Sequence, residues 1–369
     1  MGNENNLTAS QRAQLFAQAT RQNMQMLPSQ SVSGGGSTMS FTLPKARLLS
    51  KIMLDVEATV NIKHASKTVL PDTDDFTPYR LIRRLSLDLN NGFAPFVLGG
   101  GHVAMLNLIQ RGNAGYVKEA MQSVNLDASW NVDGQNNYGY WTPQQASPSG
   151  VDNKLRFTIE LPVTTNDRDP ISLILLQNES TNVSLVLDIC NGLDMFNGST
   201  DGYTVDIKNV TVTPLVESFS IPANSQAMPD ISVLKLTHSR TDDFTGAGQH
   251  IIKLNTGTIY RRLLFRILDE NNIPIEDEDL LGNIEIVFNQ ADIPYSMKPR
   301  LLRMINTTQY GFKLPKGMYV FDFAYQGIAG MGGTRDLIDT ERLTEFWLRF
   351  TTQNSGHIEL VTETLSRLQ

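Results

Sequence analysis

The chain has 369 residues, a formal net charge of −7 and a charged fraction of 19%. This length is enough for two domains with their own cores, so neither disulfides nor metals are needed to hold the fold together. The negative charge argues against a surface that binds nucleic acid, because phosphate contacts need clustered Lys and Arg. The single cysteine, Cys190 in SLVLDICNG, is predicted to be a buried apolar residue rather than a nucleophile.

The first 38 residues differ in composition from the rest of the chain. Thr8 and Gln11 form a capping box, and helix-forming residues follow it as far as Pro28. The following SQSVSGGGST is typical of a flexible linker. We therefore predict a helical arm and linker over 1–38, which is either a mobile tail or an amphipathic arm that contacts a membrane or neighbouring subunits. The residues predicted to make those contacts are Arg12, Phe16, Arg21 and Met24.

From about residue 39, apolar and polar residues alternate with a period of two, which is typical of β-strands. Asn-Gly and Asp-Gly dipeptides separate these segments, as in hairpin turns. The strand pattern starts again after about residue 215, and one short helix interrupts each half, near 102–111 and near 296–306. We predict an all-β fold of two tandem jelly-roll barrels at 39–215 and 216–369, preceded by the helical arm.

A short motif occurs twice, as YRLIRRLSLDLNN at 79–91 and as YRRLLFRILDENN at 260–272. We interpret the two copies as the same strand and turn in each barrel. On this alignment Leu85 falls opposite Arg266, which predicts a bulge in one copy or burial of different strand faces. The arginines of the motif are predicted to form ion pairs at a subunit interface rather than to bind phosphate, and they are Arg83, Arg84, Arg261, Arg262 and Arg266.

No sequence pattern predicts a catalytic centre, a cofactor site or a metal site. The five histidines lack the close spacing of metal ligands, and the glycine clusters lack the Gly-Lys-Ser/Thr of a phosphate loop. The acidic clusters at 72–75 and 276–279 lack the remaining residues of a calcium loop. An apolar stretch typical of a signal peptide or a membrane span is also missing from the sequence. We therefore predict a structural protein without enzymatic activity.

One segment keeps a different function open. SWNVDGQNNYGYW is rich in aromatic residues, which are typical of the platforms that bind sugars. In this alternative the chain is a two-barrel carbohydrate-binding or hydrolytic protein. The loop is otherwise expected to pack a barrel end or a subunit interface. The candidate platform residues are Trp130, Tyr138, Tyr140 and Trp141.

The sequence resembles the double jelly-roll major capsid proteins of tectivirus-like, tailless bacteriophages with an internal membrane. The resemblance covers most of the chain and depends on the order and spacing of several segments rather than on one motif. These segments are LTASQRAQLFAQ, LIRRLSLDLNNG with the following GGGHVAMLNLIQRG, LRFTIELP with ISLILLQ and VSLVLDI, DISVLKL with TGTIYRRLLFRILDENN, and LPKGMYVFDF.

This resemblance implies a homotrimeric, pseudo-hexagonal capsomer that tiles an icosahedral shell over the inner membrane of the virus. It implies that the protein is made in the host cytoplasm and resides in the virion. The expected partners are further copies of the chain, penton and minor capsid proteins, and the viral membrane through the N-terminal arm. No direct contact with nucleic acid is expected. A minor vertex or spike protein is a further possibility.

Overall fold

The computed structural model describes residues 9–71, 76–89, 92–110, 140–143, 145–165, 171–176, 182–196, 198–229, 231–325 and 337–367. Three α-helices lie in these ranges, namely α1 (Ala9–Ala19), α2 (Gly100–Gln110) and α3 (Pro299–Tyr310). Both α2 and α3 confirm helices predicted from the sequence. The remaining regular structure is almost entirely β-strand, as the period-two pattern predicts.

Strands of the first barrel form two sheets. They are β1 (Gln22–Met26), β2 (Gln30–Val32), β3 (Thr38–Thr42), β4 (Leu48–His64), β5 (Ile82–Leu89), β6 (Phe93–Leu98), β7 (Tyr140–Thr142), β8 (Val151–Pro162), β9 (Ile174–Leu175), β10 (Val183–Ile189) and β11 (Tyr203–Phe219). One sheet has the order β1–β11–β4–β8–β7, with β2 also pairing with β11 and β9 with β4. The other has the order β3–β10–β5–β6.

Strands of the second barrel repeat this arrangement. They are β12 (Val233–Phe244), β13 (Gly248–Leu254), β14 (Ile259–Asp269), β15 (Ile284–Phe288), β16 (Asp292–Met297), β17 (Met318–Asp322), β18 (Ile338–Asp339), β19 (Phe346–Thr352) and β20 (Gly356–Arg367). The sheets have the orders β12–β20–β14–β17 and β13–β19–β15–β16.

Both barrels have the same topology. When β1 and β2 are counted as one strand and the short β7, β9 and β18 are set aside, each barrel has sheets of order 1-8-3-6 and 2-7-4-5. This double-sheet Greek-key arrangement is the jelly roll. The prediction of an all-β double jelly roll is therefore confirmed.

Alternation along each strand explains how the sequence produces these sheets. In β8, Leu155, Phe157 and Ile159 point into the first barrel and are fully buried, whereas the residues between them are partly exposed. This pattern buries one sheet face and leaves the other facing outward. β14 departs from it, because nearly every residue of the strand is buried. Leu263 and Phe265 belong to the second core, whereas Leu264 belongs to the first.

The two barrels are joined through a continuous sheet. β12 of the second barrel pairs in parallel with β6 of the first, with Thr237 opposite Phe96 and His238 opposite Val97. The outer face of the β12–β20–β14–β17 sheet then packs on the first barrel, which is why β14 is buried on both sides. We call this contact the inter-barrel seam.

The N-terminal segment differs from its prediction beyond residue 19. The helix ends at Ala19, and the residues that follow form β1 and β2, which pair with β11. Part of the predicted linker thus supplies the first strand of the first barrel. The predicted boundary at 215/216 falls inside β11, and the second set of strands begins only at Val233. Propensity favours a helix over QNMQM, but the open edge of β11 offers backbone partners that outweigh it.

The interpretation of the repeated motif is wrong. Its first copy contains β5, the fourth strand of its barrel, and its second contains β14, the third strand. The two strands belong to different sheets of the jelly roll and are not equivalent. Both are irregular, since the pairing of β5 with β10 skips Arg83 and that of β14 with β20 skips Arg261. The mismatch of Leu85 with Arg266 follows from aligning two different strands.

Candidate assembly interfaces

The inter-barrel seam contains charged side chains in a buried environment. Arg80 of the first barrel donates to Glu359 of the second at 2.8 Å. Lys235 donates from its Nζ to the Thr164 carbonyl at 2.7 Å, and Arg261 donates to the Thr165 carbonyl at 3.0 Å. Because an unpaired buried charge is strongly unfavourable, these contacts restrict the barrels to one relative arrangement.

Glu363 is the electrostatic centre of the seam. It is fully buried and pairs with Arg261. Arg262 lies 3.8 Å from the Glu363 carboxylate and 3.0 Å from that of Asp322. Burial alone would raise the pKa of Glu363, but Arg261, Lys235 and Arg262 together lower it to about 2. The carboxylate is therefore charged throughout the neutral and mildly acidic range.

Helix α2 lies in the seam against β20, and its first turn explains the glycine cluster at 99–101. A Cβ atom on Gly100 would lie 1.7 Å from the Tyr79 carbonyl oxygen, so only glycine permits this contact. His102 lies beside Glu359 and Arg80 with its Nε2 atom buried, and desolvation lowers the pKa of its imidazole. Close packing therefore explains the requirement for glycine at position 100.

The arginines of the repeated motif divide between two environments, and the predicted subunit interface is wrong for the three that are buried. Arg261, Arg262 and Arg266 are buried within one chain. Arg266 lies over the ring of Phe76, 4.9 Å from its centroid. Arg83 and Arg84 are exposed on β5. The predicted ion pairs of Arg261 and Arg262 exist, but both form within the second barrel, at its seam with the first, and not between chains. For Arg83 and Arg84 the subunit interface stays a prediction.

A buried asparagine occurs at the same position in α2 and α3. The Asn107 side chain accepts from the Glu160 backbone N–H and donates to the Glu160 carbonyl of β8, both at 2.8 Å. The Asn306 side chain makes the same pair of bonds with Val320 of β17, at 3.0 and 2.8 Å. Each helix is thus attached to the sixth strand of its barrel through the backbone.

The equivalence of the two helices is also visible in the sequence, as a second short match between the two halves of the chain. MLNLIQRG at 105–112 aligns with MINTTQYG at 304–311, and Met, Asn, Gln and Gly are identical. The asparagines coincide in this alignment. Residues 111 and 112 lie outside the described ranges, but the helical part of the alignment agrees with the hydrogen bonds.

A backbone irregularity in the third strand of each barrel gives a second, independent point of equivalence. The pairing of β4 with β11 skips Ser50, as that of β14 with β20 skips Arg261. Ser50 donates to Glu217 at 3.2 Å, and Arg261 pairs with Glu363. A bulge that occurs at the same place in both barrels marks the same strand register in each. The two barrels can therefore be compared residue by residue.

The predicted contact residues of the N-terminal arm lie in two different environments. Phe16 is buried against Leu48 and Leu173, and its ring centroid is 5.3 Å from that of Phe219. Arg12, Arg21 and Met24 are exposed. Phe16 is thus part of the chain's own core and does not present apolar surface to a partner. The arm as predicted, a separate helix, is not confirmed.

The aromatic segment offers no exposed platform within the described residues. Trp141 is 0% exposed and lies in the first core, with its ring centroid 6.2 Å from that of Phe196. Tyr140 begins β7, and Trp130 and Tyr138 lie outside the described ranges. The interpretation of this segment as barrel packing agrees with the position of Trp141.

Cys190 and Asp277, two of the remaining candidate residues, make contacts that belong to the fold. Cys190 is buried, as predicted, and burial raises the pKa of its thiol to about 12. Asp277 pairs with Arg303 at 2.7 Å. Within the described ranges, His, Cys, Asp and Glu side chains form no group of three or more able to hold a metal ion. Asp72, Asp74 and Asp75 lie outside those ranges. None of the helices described has the length and apolar character required to cross a membrane.

Among the described residues, exposed apolar side chains lie together on α3 and on β1. Leu301, Met304 and Ile305 form a stripe on α3, with 47%, 58% and 38% of their surfaces exposed. On the first barrel, Met24 and Met26 project from β1, with 53% and 69% exposed. Exposed apolar patches of this kind indicate contact surfaces.

No protein-family model matches the chain, and no curated protein matches its sequence. Solved structures match it over nearly its whole length. The STIV MCP, from Sulfolobus Turreted Icosahedral Virus, is 13% identical with a TM-score of 0.64 and covers 94% of this chain and 97% of its own. The PBCV-1 virus capsid is 11% identical with a TM-score of 0.62 and 94% of each chain covered. The major capsid protein of bacteriophage PM2 is 11% identical with a TM-score of 0.53, covering 95% of this chain and 98% of its own.

The chain has the double jelly-roll fold of these viral major capsid proteins. The resemblance predicted from the sequence is therefore confirmed for the fold. At 11–13% identity the likeness is one of architecture, and it is accompanied by the same eight-strand order in both barrels.

Proposed function

We propose that this protein is a viral major capsid protein that forms homotrimers and tiles an icosahedral shell. The observation that carries the proposal is the pair of equivalent jelly rolls fixed by a buried seam, in a fold shared with viral major capsid proteins. Three such chains would place six similar barrels around one axis, and closed rings are the usual form of assembly. The role is structural, without catalysis or a cofactor.

The trimer is tested by size-exclusion chromatography with light scattering. The expected mass is three times the 41.1 kDa of the chain. A monomer at micromolar concentration would contradict the trimer. Electron microscopy of the protein isolated from virus-producing cells is expected to show closed shells in which this chain is the dominant band. A chain present in only a few copies per particle would indicate a vertex or spike protein instead.

The N-terminal segment is proposed to face the inner membrane of the virus, with penton and minor capsid proteins as further partners in the virion. Arg12 and Arg21 support this proposal because both are exposed and can approach lipid phosphates. Co-sedimentation with anionic vesicles is expected to fall when both are changed to Glu. The matched control is Arg84→Glu, an exposed arginine on β5. Equal loss in the control would indicate a general charge effect and contradict a lipid contact at the N-terminus.

A further inference from the structure

The same face of the equivalent helix is covered in the first barrel, on α2, and exposed in the second, on α3. Aligned through Asn107 and Asn306, the positions of Leu301, Met304 and Ile305 in α3 correspond to His102, Met105 and Leu106 in α2. In α2, Met105 and Leu106 are fully buried and His102 is half-buried, and the helix contacts β20 of the second barrel. The corresponding positions of α3 carry apolar side chains on the surface.

The outer sheet face of the second barrel packs on the first barrel, and the equivalent sheet face of the first barrel is accessible. On the outer face of the second barrel, Val361, Leu264 and Val320 lie side by side on β20, β14 and β17 and are buried against the first barrel. Their counterparts are fixed by the asparagine contacts, since Asn306 binds Val320 and Asn107 binds Glu160. Glu160 pairs with Met53, which pairs with Leu215, so these three residues form the equivalent row in the first barrel.

The bulge gives the same register, because Met53 follows Ser50 by three residues and Leu264 follows Arg261 by three. The equivalent row continues onto β1, where Met26 lies opposite Leu215. Met53 and Leu215 are half-buried, and Met26 is largely exposed. The positions of Leu264 and Val361, which are covered in the second barrel, thus carry accessible apolar side chains in the first, whereas Glu160 takes the place of Val320. We call Met26, Leu215 and Met53 the open row.

Charges beside the open row are already paired within the chain. Lys51 lies 3.0 Å from Glu160, and Arg156 lies 2.6 Å from Asp55. Docking an apolar helix face there buries no isolated charge, which would otherwise oppose association. The open helix and the open row are thus compatible with each other in chemistry as well as in position.

We propose that α3 of one chain docks through Leu301, Met304 and Ile305 on the first barrel of a second copy, at Met26, Leu215 and Met53. The contact repeats between chains the relation that α2 and the second barrel have within one chain. It is head-to-tail, so every chain offers one helix and one row, and such contacts close into a ring when the rotation permits. This inference rests on the proposed self-assembly and names the surfaces that produce it.

Two single substitutions test the contact, Met304→Asp on the helix and Met26→Asp on the row. Both side chains are exposed in the single chain, so the substitutions are expected to leave the thermal unfolding midpoint of the monomer nearly unchanged. Each is expected to raise the concentration needed for assembly at least tenfold in light scattering. Ile251→Asp is the matched control, because Ile251 is 44% exposed on β13 and belongs to neither patch. Wild-type assembly by both patch variants, or loss of assembly in the control as well, would overturn the inference.

Mixing the two variants distinguishes a head-to-tail contact from a two-fold one. Each variant retains the surface that the other has lost, so the mixture is expected to form a 1:1 dimer and to stop there. Absence of that dimer from the mixture would contradict the assignment. If the wild-type chain is itself monomeric, the proposed capsomer fails first, and the substitutions then have no assembly to disrupt, so the two failures are distinguishable.

Cross-linking provides a second readout that does not depend on loss of assembly. Since Cys190 is buried, introduced cysteines are the accessible thiols. Met304→Cys mixed with Met26→Cys is expected to give a disulfide-linked heterodimer under mild oxidation. A dimer of Met304→Cys alone at equal yield would indicate a symmetric contact and refute the pairing. Normal assembly of Met26→Asp combined with loss of vesicle binding would assign the β1 patch to lipid and also overturn it.

Discussion

Asn107 and Asn306 make the same helix-to-strand contact in the two barrels. Both are fully buried, and each amide forms a donor and an acceptor bond to one backbone position of a neighbouring strand. A buried amide is unfavourable unless both of its polar atoms are paired. The side chain is therefore specified by the backbone groups that it meets, and no apolar residue of similar size replaces it.

We expect Asn306→Leu to lower the free energy of unfolding by about 2–4 kcal/mol, because the N–H and C=O of Val320 lose their partners in a buried site. Chemical denaturation followed by circular dichroism measures this change. Thr308→Ala on the exposed side of the same helix is the control, with an expected change within about 0.5 kcal/mol. Equal stability of the two variants would show that the asparagine does not hold the helix.

At the scale of elements, β1 and β2 change the role of the N-terminal region. They extend a sheet, and α1 covers the end of the same barrel through Phe16. Removal of 1–20 is therefore expected to leave both barrels folded, whereas removal of 1–38 leaves β11 without the partners of Gln22–Met26 and Gln30–Val32.

We expect the longer deletion to reduce the soluble yield severely and to lower the thermal unfolding midpoint well below that of the shorter one, because the edge of the first barrel loses a strand. Soluble yield and differential scanning calorimetry on the two truncations provide the comparison. Equal midpoints for the two truncations would mean that β1 and β2 contribute nothing to the first barrel.

The elements show which parts of the fold a sequence of this kind predicts. Strand alternation and the patterns of α2 and α3 are local signals, and the predictions made from them are confirmed. The assignment of QNMQM failed because its partner, β11, is almost 200 residues away and local propensity carries no information about it. The interpretation of the YR motif is wrong because short apolar strands resemble one another in sequence. Asn107 and Asn306 are equivalent because each binds the backbone of the sixth strand of its barrel.

The candidate interfaces were less predictable than the fold. Alternation indicates that a strand has a buried face, but not whether its other face meets solvent or a second barrel. The sequence therefore places the arginines of β14 at a subunit interface, because its pattern does not show that Arg261 and Arg262 neutralise the buried Glu363. That Met304 is exposed can likewise be seen only once the packing of α3 on its barrel is known.

For the molecule as a whole, the seam joins the barrels into one unit, since residues of the second barrel such as Leu264 and Val320 belong to the core of the first. The charged groups in the seam also make that unit sensitive to acid. Glu363 titrates near 4.5 when unfolded and at about 2 when folded, so it stabilises the chain above pH 4.5 and this contribution is lost as the pH falls towards 2. The shift corresponds to about 3 kcal/mol. His102 acts in the same direction at higher pH, since burial lowers the pKa of its imidazole below 6.5 and protonation opposes the folded state.

We expect Glu363→Gln to destabilise the chain by about 3–5 kcal/mol at pH 7, because Arg261 and Arg262 lose their buried counter-charge. The variant is also expected to show a flatter dependence of stability on pH between 4.5 and 2. Urea unfolding across this range measures both effects. Glu57→Gln, at an exposed position on β4, should retain the wild-type slope. A variant slope equal to that of the wild type would remove Glu363 from the acid response.

Finally, Asn306 has a consequence for solubility. β17 is the terminal strand of its sheet, and the outward N–H and C=O of Val320 would otherwise be available to a strand of another molecule. The asparagine amide occupies both groups, as an adjoining strand would. Unlimited strand addition, the first step towards amyloid-like aggregates, is thereby blocked at this position, while the surfaces proposed for ordered assembly consist of side chains and remain open.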